Sequence, residues 1–276
     1  MPEQTTDGSY EDLKVENRGL ATWIVLSRPE AMNAVRPKTY VELGRAFERA
    51  DADRETRFIV LTGEGRGFCA GDDFNEIFLS ENHPGKRSEG TLARYRSRHG
   101  AATPVVSAIL GCTKPTIAAI NGAAVGMGMD LALLCDMRIA AARTRLGSYF
   151  VRRGVIGSIG GTYLLPRIVG LSKAMELLLS GELIAADEAE RLGILSRVVP
   201  DGELAGAVEA LIEKLSWGAP LAQRAIKRVV QKGLTMDPGA LEEYGRMLSD
   251  ELWRTEDHRE GVASHVEKRK PRFNER

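Results

Sequence analysis

The chain has few of the residues that build disulfide frameworks, zinc centres or serine–histidine catalytic pairs. Its three cysteines, Cys69, Cys112 and Cys135, are an odd set at wide spacing, which predicts reduced thiols in a reducing compartment. No cysteine–histidine spacing matches a zinc site, so we expect no metal. The four histidines stand in scattered polar segments, and no motif places one of them beside a serine.

Excess charge and long apolar runs are absent as well. The 276 residues carry 38 basic and 38 acidic side chains, so the chain lacks the cationic footprint that nucleic-acid binding needs. No apolar run reaches the length that spans a membrane. The first twelve residues are polar and lack the apolar centre of a signal peptide. We therefore predict a cytoplasmic protein with no nucleic-acid or membrane partner.

Apolar strands alternate with helices along most of the chain and give way to helices near its end. Strands are predicted at 22–26, 58–62, 116–120, 137–140 and 197–199, and helices at 38–51, 92–110, 129–135, 172–180, 187–192, 202–217, 220–233, 238–253 and 256–268. This order indicates an α/β fold. We expect a flexible tail over residues 1–12, an α/β core over 13–200 and a helical region over 201–276.

Two glycine-rich stretches each follow a predicted buried strand. Residues 67–73 read GFCAGDD, and residues 121–130 read NGAAVGMGMD. Glycines at such turns allow φ > 0 and a close approach of the backbone to a ligand. Backbone N–H groups exposed at turns and helix starts stabilise anions and developing oxyanions. Two such turns in one chain predict an oxyanion hole with one donor from each.

Two common glycine motifs do not match these stretches. A dinucleotide-binding fingerprint that begins at Gly126 would need its third glycine where Leu131 stands. A hydrolase nucleophile elbow around Ser158 would need a glycine in place of Ile156. The nucleotide-binding and serine-hydrolase interpretations therefore fail on these details.

The motifs, in their order along the chain, resemble those of the crotonase superfamily, the enoyl-CoA hydratase/isomerase group. The matching segments are LSRP at 26–29, MNA at 32–34, VLTG at 60–63, the two glycine turns, CD at 135–136, GGT at 160–162, LPR at 165–167 and EKRKP at 267–271 with Phe273. The resemblance covers about residues 13–273. It implies a crotonase-like spiral of ββα units and a C-terminal helical region that forms homotrimers or dimers of trimers. It also implies an acyl-CoA ligand, in which coenzyme A is part of the substrate and no separate cofactor is needed.

The resemblance also assigns catalytic roles. The oxyanion donors would be the backbone N–H groups of Asp72 and Met127. Hydratases of the family use two glutamates, because a carboxylate pair can hold water and pass a proton. Asp130 stands at the first of these positions, and Phe150 stands at the second. Since phenylalanine cannot move protons, the sequence argues against ordinary enoyl-CoA hydration.

The coenzyme A site is implied by resemblance in the same way. Its walls would come from Met32, Ala70, Asp72, Phe74 and Gly126, with Tyr149 and Phe150 beside the acyl group. Arg28 and the tail residues Lys268 and Lys270 are the candidate phosphate contacts. Residues 78–110 and the segment from Tyr149 to Arg153 are the expected source of acyl-group specificity.

Several alternatives stay open at this stage. Asp130 could instead cap a helix or pair inside the fold, and Ser158 is better explained as a helix cap than as a catalytic group. The leading function is an acyl-CoA isomerase or an atypical hydratase or lyase that stabilises an enolate. A hydrolase of CoA thioesters or ring-ketone acyl-CoA substrates, and a non-catalytic acyl-CoA-binding protein, are the alternatives. A serine peptidase of the same superfold ranks last.

Overall fold

A six-stranded sheet forms the centre of the protein. The computed structural model describes residues 10–79 and 104–276. The sheet has the order β1-β2-β3-β4-β6-β9, with β1 antiparallel to β2 and all other neighbours parallel. Its strands are β1 Leu13–Arg18, β2 Ala21–Leu26, β3 Phe58–Gly63, β4 Thr116–Ile120, β6 Met137–Ala141 and β9 Arg197–Val199.

A second, smaller sheet and a set of helices surround the first. The small sheet has the order β5-β7-β8 and consists of β5 Ala124–Val125, β7 Arg145–Gly147 and β8 Ile184–Ala185. The α-helices are α1 Pro37–Ala52, α2 Pro104–Gly111, α3 Met127–Leu134, α4 Leu165–Val169, α5 Leu171–Ser180, α6 Ala186–Arg191, α7 Leu204–Leu215, α8 Pro220–Gly233, α9 Pro238–Leu252 and α10 Glu256–Val266.

The large sheet is buried on both faces, as parallel sheets are. Successive side chains of a strand point to opposite faces, and β3 follows this rule. Ile59 and Leu61 join the main core, whereas Phe58 and Val60 join a second core on the other face. Helix α7 covers that second face. The first helix of the predicted C-terminal region is therefore packed directly on the sheet.

The chain repeats one arrangement of elements. β4 lies in the large sheet, β5 lies in the small sheet, and α3 follows; β6, β7 and the helices after them repeat this order. Before them, β3 leads to Cys69, which forms an isolated parallel bridge with Ala124 at the edge of the small sheet. This succession confirms the predicted α/β fold with a crotonase-like spiral of ββα units.

The long strands predicted from the sequence are confirmed within one or two residues, but four others were not predicted. β1 is an edge strand with five of its six side chains exposed or nearly so, so it lacks an apolar signature. The two- and three-residue strands of the small sheet are too short to show alternation. Short helical turns at Pro29–Ala31, Phe74–Phe78, Tyr149–Arg153 and Gly160–Leu164 were also missed.

Two predicted segments lie partly outside the described residues. Glu11 and Asp12, which the sequence assigns to the flexible tail, donate their backbone N–H groups to the Glu42 carboxylate of α1. Asp12 also pairs with Arg36. These contacts fasten Glu11 and Asp12 to α1. Of the helix predicted over 92–110, only the end from Pro104 lies inside the described residues, and the predicted loop over 80–90 lies outside them.

None of the helices in residues 10–79 and 104–276 is long and apolar enough to cross a membrane.

Candidate active site

The two glycine turns lie side by side. The bridge between Cys69 and Ala124 holds them in parallel register: Cys69 N–H donates to Ala123 O at 2.9 Å, and Val125 N–H donates to Cys69 O at 3.0 Å. Asp72 and Met127 each follow this bridge by three residues. Register alone therefore brings the two predicted oxyanion donors to neighbouring positions.

Two glycines make this approach possible. A Cβ atom on Gly128 would lie 2.1 Å from Cys69 O, so any side chain there would push the two turns apart. Gly71 adopts φ +101°, and a Cβ on it would lie 2.8 Å from Val125 O and 3.6 Å from Met127 N. Glycine is needed at position 71 for both its backbone conformation and its close contact.

The N–H groups of Asp72 and Met127 are available to a ligand. Met127 is the first residue of α3, so its N–H has no partner within the helix. At Asp72, the flanking groups are used: Val35 N–H donates to Gly71 O, and Asp73 N–H donates to Val35 O, both at 2.8 Å. Within the described residues, neither the Asp72 nor the Met127 N–H has a hydrogen-bond acceptor. Two unpaired donors at the ends of adjacent turns fit an oxyanion hole.

These donors border a cavity of about 620 Å³. Among described residues its walls are Ala31, Ala34, Ala70, Gly71, Asp72, Asp73, Phe74, Asn75, Val125, Gly126, Met127, Tyr149, Phe150, Arg153 and Leu183. The volume and the largely apolar walls suit a small-molecule site. Seven of the predicted site residues lie in this lining: Ala70, Asp72, Phe74, Gly126, Met127, Tyr149 and Phe150.

Asp130 lies behind the cavity lining rather than in it. Its side chain is fully buried, its Oδ1 accepts the Gly161 N–H, and its Oδ2 accepts the Ser158 N–H, both at 2.8 Å. Burial raises the pKa of this carboxyl to about 6, against the lowering effect of the two N–H donors, and the negative charge of Asp72 raises it further. The cap on the turn that begins at Gly160 is therefore the Asp130 carboxylate. Ser158, the predicted cap, hydrogen-bonds this carboxylate with both its backbone N–H and its side chain.

Phe150 fills the wall at the position where the resemblance implies a second carboxylate. Its ring lies 3.8 Å from the place of a Cβ on Gly126, and a Cβ on Gly157 would come within 2.7 Å of the ring. The aromatic ring thus packs against Gly126 and Gly157, in the part of the cavity wall that holds the Met127 N–H. The wall therefore presents an apolar face at this position.

Four predicted coenzyme A contacts do not line the cavity. The Arg28 guanidinium donates from Nη1 to Asp73 Oδ2 at 3.0 Å and to Ala34 O at 2.7 Å, so its charge is already neutralised within the fold. The Met32 side chain lies against Gly67, and only its carbonyl supports the first turn, by accepting the Ala70 N–H. Lys268 and Lys270 follow the end of α10 and are not among the described lining residues.

Two side chains of the site were not assigned from the sequence. Tyr40 of α1 donates its Oη–H to Asp72 Oδ1, a contact between residues far apart in sequence that no local pattern could reveal. Arg153 was covered only by the expectation that the segment from Tyr149 to Arg153 sets acyl-group specificity. Its guanidinium lies over the rings of Phe74 and Tyr149, at 5.2 and 5.7 Å from their centroids.

The fold and the paired turns define a crotonase-like protein. The chain belongs to the enoyl-CoA hydratase/isomerase family, whose sequence profile matches residues 16–276. A Rhizobium meliloti (strain 1021) protein named "Probable enoyl-CoA hydratase" is 38% identical over 273 residues, covering 97% of this chain and 100% of the relative. A 1,2-epoxyphenylacetyl-CoA isomerase of Escherichia coli (strain K12) is 33% identical over 260 residues, covering 93% and 95%.

Solved structures give the same result. The crystal structure of enoyl-CoA hydratase subunit I from Geobacillus kaustophilus HTA426 superposes with a TM-score of 0.86 at 33% sequence identity, and the match covers 97% of this chain and 99% of that one. The relatives of this chain thus include proteins named as hydratases and one named as an isomerase. The protein is an enzyme of the hydratase/isomerase type.

Proposed function

We propose that the protein isomerises the double bond of an enoyl-CoA ester through a thioester enolate. The observation that carries this proposal is the adjacent pair of unpaired N–H groups, on Asp72 and Met127, at the wall of the cavity. Negative charge develops on the thioester oxygen when an α-proton leaves. Preorganised donors stabilise that charge by about 3 kcal/mol each in a site that excludes water.

The proton-transfer groups favour isomerisation over hydration. Hydration needs one group to activate water and another to protonate carbon. Here Phe150 supplies no carboxylate, and both oxygens of Asp130 are occupied by backbone N–H groups. A shift of a double bond needs only one group, which removes a proton at one carbon and returns it at another. The site has fewer acid/base groups than hydration requires and enough for isomerisation.

The ligand proposed is an acyl-CoA, with coenzyme A as part of the substrate and no further cofactor. Support comes from the apolar cavity, from its position beside the two turns, and from relatives whose names specify acyl-CoA substrates, an enoyl-CoA hydratase and an epoxyphenylacetyl-CoA isomerase. Ala70, Phe74 and Gly126 form walls of this cavity, as the resemblance implies for the coenzyme A site.

The test is a panel of 2-enoyl-, 3-enoyl- and 3-hydroxyacyl-CoA esters with short to long acyl chains. We expect transfer of the double bond without release of free thiol, and slow hydration. Phe150→Glu should raise the ratio of hydration to isomerisation. Phe150→Gln should not, because glutamine has the shape of glutamate but no acid/base group. Thiol release as the main reaction would establish a hydrolase instead. Tight acyl-CoA binding without any chemistry would establish a binding protein.

Self-association through the C-terminal helices is part of the same proposal. Helices α8 and α9 and the turn after α9 expose large apolar side chains, including Ile226, Val230, Met247 and Trp253, each more than 60% exposed. Large apolar side chains exposed on neighbouring helices favour an interaction surface. Light scattering coupled to gel filtration should give the mass of a trimer or of a dimer of trimers, and Ile226→Glu should reduce it.

A further inference from the structure

Asp72 enters the site with two groups, its backbone N–H and its carboxylate. Tyr40 donates its Oη–H to Oδ1 of that carboxylate. Within the described residues no other hydrogen bond or ion pair reaches the Asp72 side chain. Asp72 is a lining residue of the cavity, and its second oxygen, Oδ2, has no hydrogen-bond partner among the described residues. One oxygen of this carboxylate is therefore held by Tyr40, and within the described part of the chain the other is not.

The groups that face this carboxylate carry no positive charge. They are Tyr40 from α1, Cys69 from the same turn and Asp130 from α3. Burial raises the pKa of the Asp72 carboxyl above its ordinary value, and the Tyr40 hydrogen bond opposes that shift. Burial and the charge of Asp72 raise the pKa of the Tyr40 phenol, so the phenol stays protonated and remains a donor. Burial also raises the pKa of the Cys69 thiol to about 12, which leaves it neutral.

We propose that the Asp72 carboxylate is the acid/base group that moves the proton during isomerisation, and that Tyr40 is its positioning residue. This inference rests on the proposed function and names the group that the function needs. It replaces the role that the family resemblance assigns to Asp130. The same residue then holds the enolate oxygen through its backbone and transfers the proton through its side chain.

The proton shift balances without a co-reactant. Asp72 Oδ2 takes a proton from the α-carbon of a 3-enoyl-CoA: the C–H bond breaks, an O–H bond forms, and the electron pair delocalises into a dienolate. The thioester oxygen of that dienolate accepts the N–H groups of Asp72 and Met127. The neutral carboxylic acid then returns the proton to the γ-carbon, which gives the 2-enoyl-CoA and regenerates the carboxylate.

This assignment also keeps the base and the enolate from carrying negative charge at the same time. When the enolate forms, Asp72 has just become neutral, so its side chain does not repel the enolate. Asp130 is less suited to this role, because both of its oxygens already accept backbone N–H groups and its side chain does not reach the cavity lining. Raised pKa values are common among catalytic acid/base groups. What distinguishes the two aspartates is that Asp72 lines the cavity and has one carboxylate oxygen without a partner among the described residues, whereas Asp130 has neither feature.

The experiment compares Asp72→Asn, Tyr40→Phe and Asp130→Asn in the full-length protein. It measures isomerisation of 3-enoyl-CoA esters, exchange of their α-protons with deuterated water, and binding of an unreactive saturated acyl-CoA. Asp72→Asn keeps its backbone N–H, so we expect kcat and exchange to fall by about 10²–10⁴-fold while the Kd changes less than about threefold. For Tyr40→Phe we expect the acid limb of kcat/KM to move to higher pH, because the carboxylate loses the hydrogen bond that lowers its pKa. Asp130→Asn should leave the position of that limb unchanged.

The possible failures can be told apart. A wild-type protein that neither isomerises the esters nor exchanges their α-protons would overturn both the proposed function and the role of Asp72. An active wild type with an equally active Asp72→Asn variant would overturn the role of Asp72 alone. Loss of exchange in Asp130→Asn but not in Asp72→Asn would return the proton transfer to Asp130. An unmoved acid limb in Tyr40→Phe would remove the positioning role of the tyrosine.

Discussion

The carboxylate of Asp130 accepts the backbone N–H of Gly161 at 2.8 Å through Oδ1. Its other oxygen accepts the Ser158 N–H at the same distance, so the side chain fastens the segment 158–161 to the start of α3. Gly160 makes the contact possible, because a Cβ there would lie 2.5 Å from Asp130 Cα. The residue that the sequence motif marks as catalytic therefore has a definite structural task.

This burial predicts a specific dependence of stability on pH. The folded pKa of Asp130 is about 6, against 3.8 for the ordinary group, so the folded protein binds this proton more tightly than the unfolded chain does. Its contribution to stability is then fully present below about pH 4 and is lost as the pH rises through about 6. A shift of about two pKa units corresponds to about 3 kcal/mol.

The measurement is the free energy of unfolding of wild type minus that of Asp130→Asn, by urea denaturation between pH 4 and pH 7.5 at one protein concentration. We expect this difference to fall by up to about 3 kcal/mol as the pH rises, because asparagine does not titrate and the other carboxyl groups cancel. A difference that stays flat over this range would show that the Asp130 carboxyl is not buried in the way described.

The environment of Asp130 also marks the limit of what the sequence could predict. The motif correctly placed it in the first turn of α3 and beside the second glycine turn. Its partners, Ser158 and Gly161, come from a segment about thirty residues away, and only tertiary packing sets that contact. The same holds for Tyr40, whose position on the inner side of α1 is visible in the sequence while its bond to Asp72 is not.

The fold could be predicted further than the site, for a physical reason. Helices cover both faces of a parallel sheet, so its strands consist almost entirely of apolar residues. This made β2, β3 and β4 predictable from the sequence. The small sheet depends instead on pairing between short turns, as in the bridge of Cys69 with Ala124. Pairing between turns requires glycines but produces no periodic pattern of apolar residues. The strands β5, β7 and β8 were therefore not predicted.

The oxyanion hole predicts a sharp response to a methyl group at Gly71. In Gly71→Ala, the Cβ would lie 2.8 Å from Val125 O on a backbone with φ +101°, so the turn must move and carry the Asp72 N–H with it. We expect a loss of about 10²-fold or more in kcat and a stability cost of about 1–3 kcal/mol. Steady-state kinetics and urea unfolding measure the two effects.

Gly206→Ala is the matched control for that variant. Gly206 lies within α7 with no atom near the site of a Cβ, so alanine should stabilise the protein by up to about 1 kcal/mol and leave kcat unchanged. Full activity in a folded Gly71→Ala protein would contradict the role given to the Asp72 N–H.

We expect Arg153 to contribute to the binding of an anionic ligand in the cavity. It is the one lysine or arginine in the described lining, and within the described residues it forms no ion pair. An acyl-CoA carries phosphates, so Arg153→Met should raise KM and the Kd of acyl-CoA about tenfold, which is about 1.4 kcal/mol, with little change in kcat. Binding by the variant should also depend less on salt, because one exposed charge contact is lost.

Arg152→Met is the control for Arg153. The Arg152 guanidinium also lies near the Tyr149 ring, but it donates to Ser180 O at 3.0 Å and does not line the cavity. We expect its KM to stay within about twofold of wild type, since a surface charge of this kind contributes little. Equal effects of the two variants would mean that Arg153 acts only through general surface charge.

Because an ion pair joins α8 to the residues beside the large sheet, we expect the C-terminal helices to unfold together with that sheet. Lys227 of α8 lies 2.7 Å from Asp136 Oδ2 and donates to Lys114 O at 2.8 Å, and the same Asp136 oxygen accepts the Thr116 N–H of β4. Lys227→Met removes a largely buried charge and leaves Asp136 without its cation. We expect a loss of about 1–3 kcal/mol in a single cooperative transition, measured by urea unfolding at fixed protein concentration.

The control on the same helix is Lys232→Met, because the exposed Lys232 side chain forms no ion pair within the described residues. It should change stability by less than about 0.5 kcal/mol. Two separate transitions in the Lys227 variant, with the first confined to the helical signal, would show that α8–α10 form an independent unit that this pair holds to the core. Equal stabilities of the two variants would instead show that apolar contacts hold α8 to the sheet. The attraction between Lys227 and Asp136 would then be cancelled by the cost of taking the lysine charge out of water.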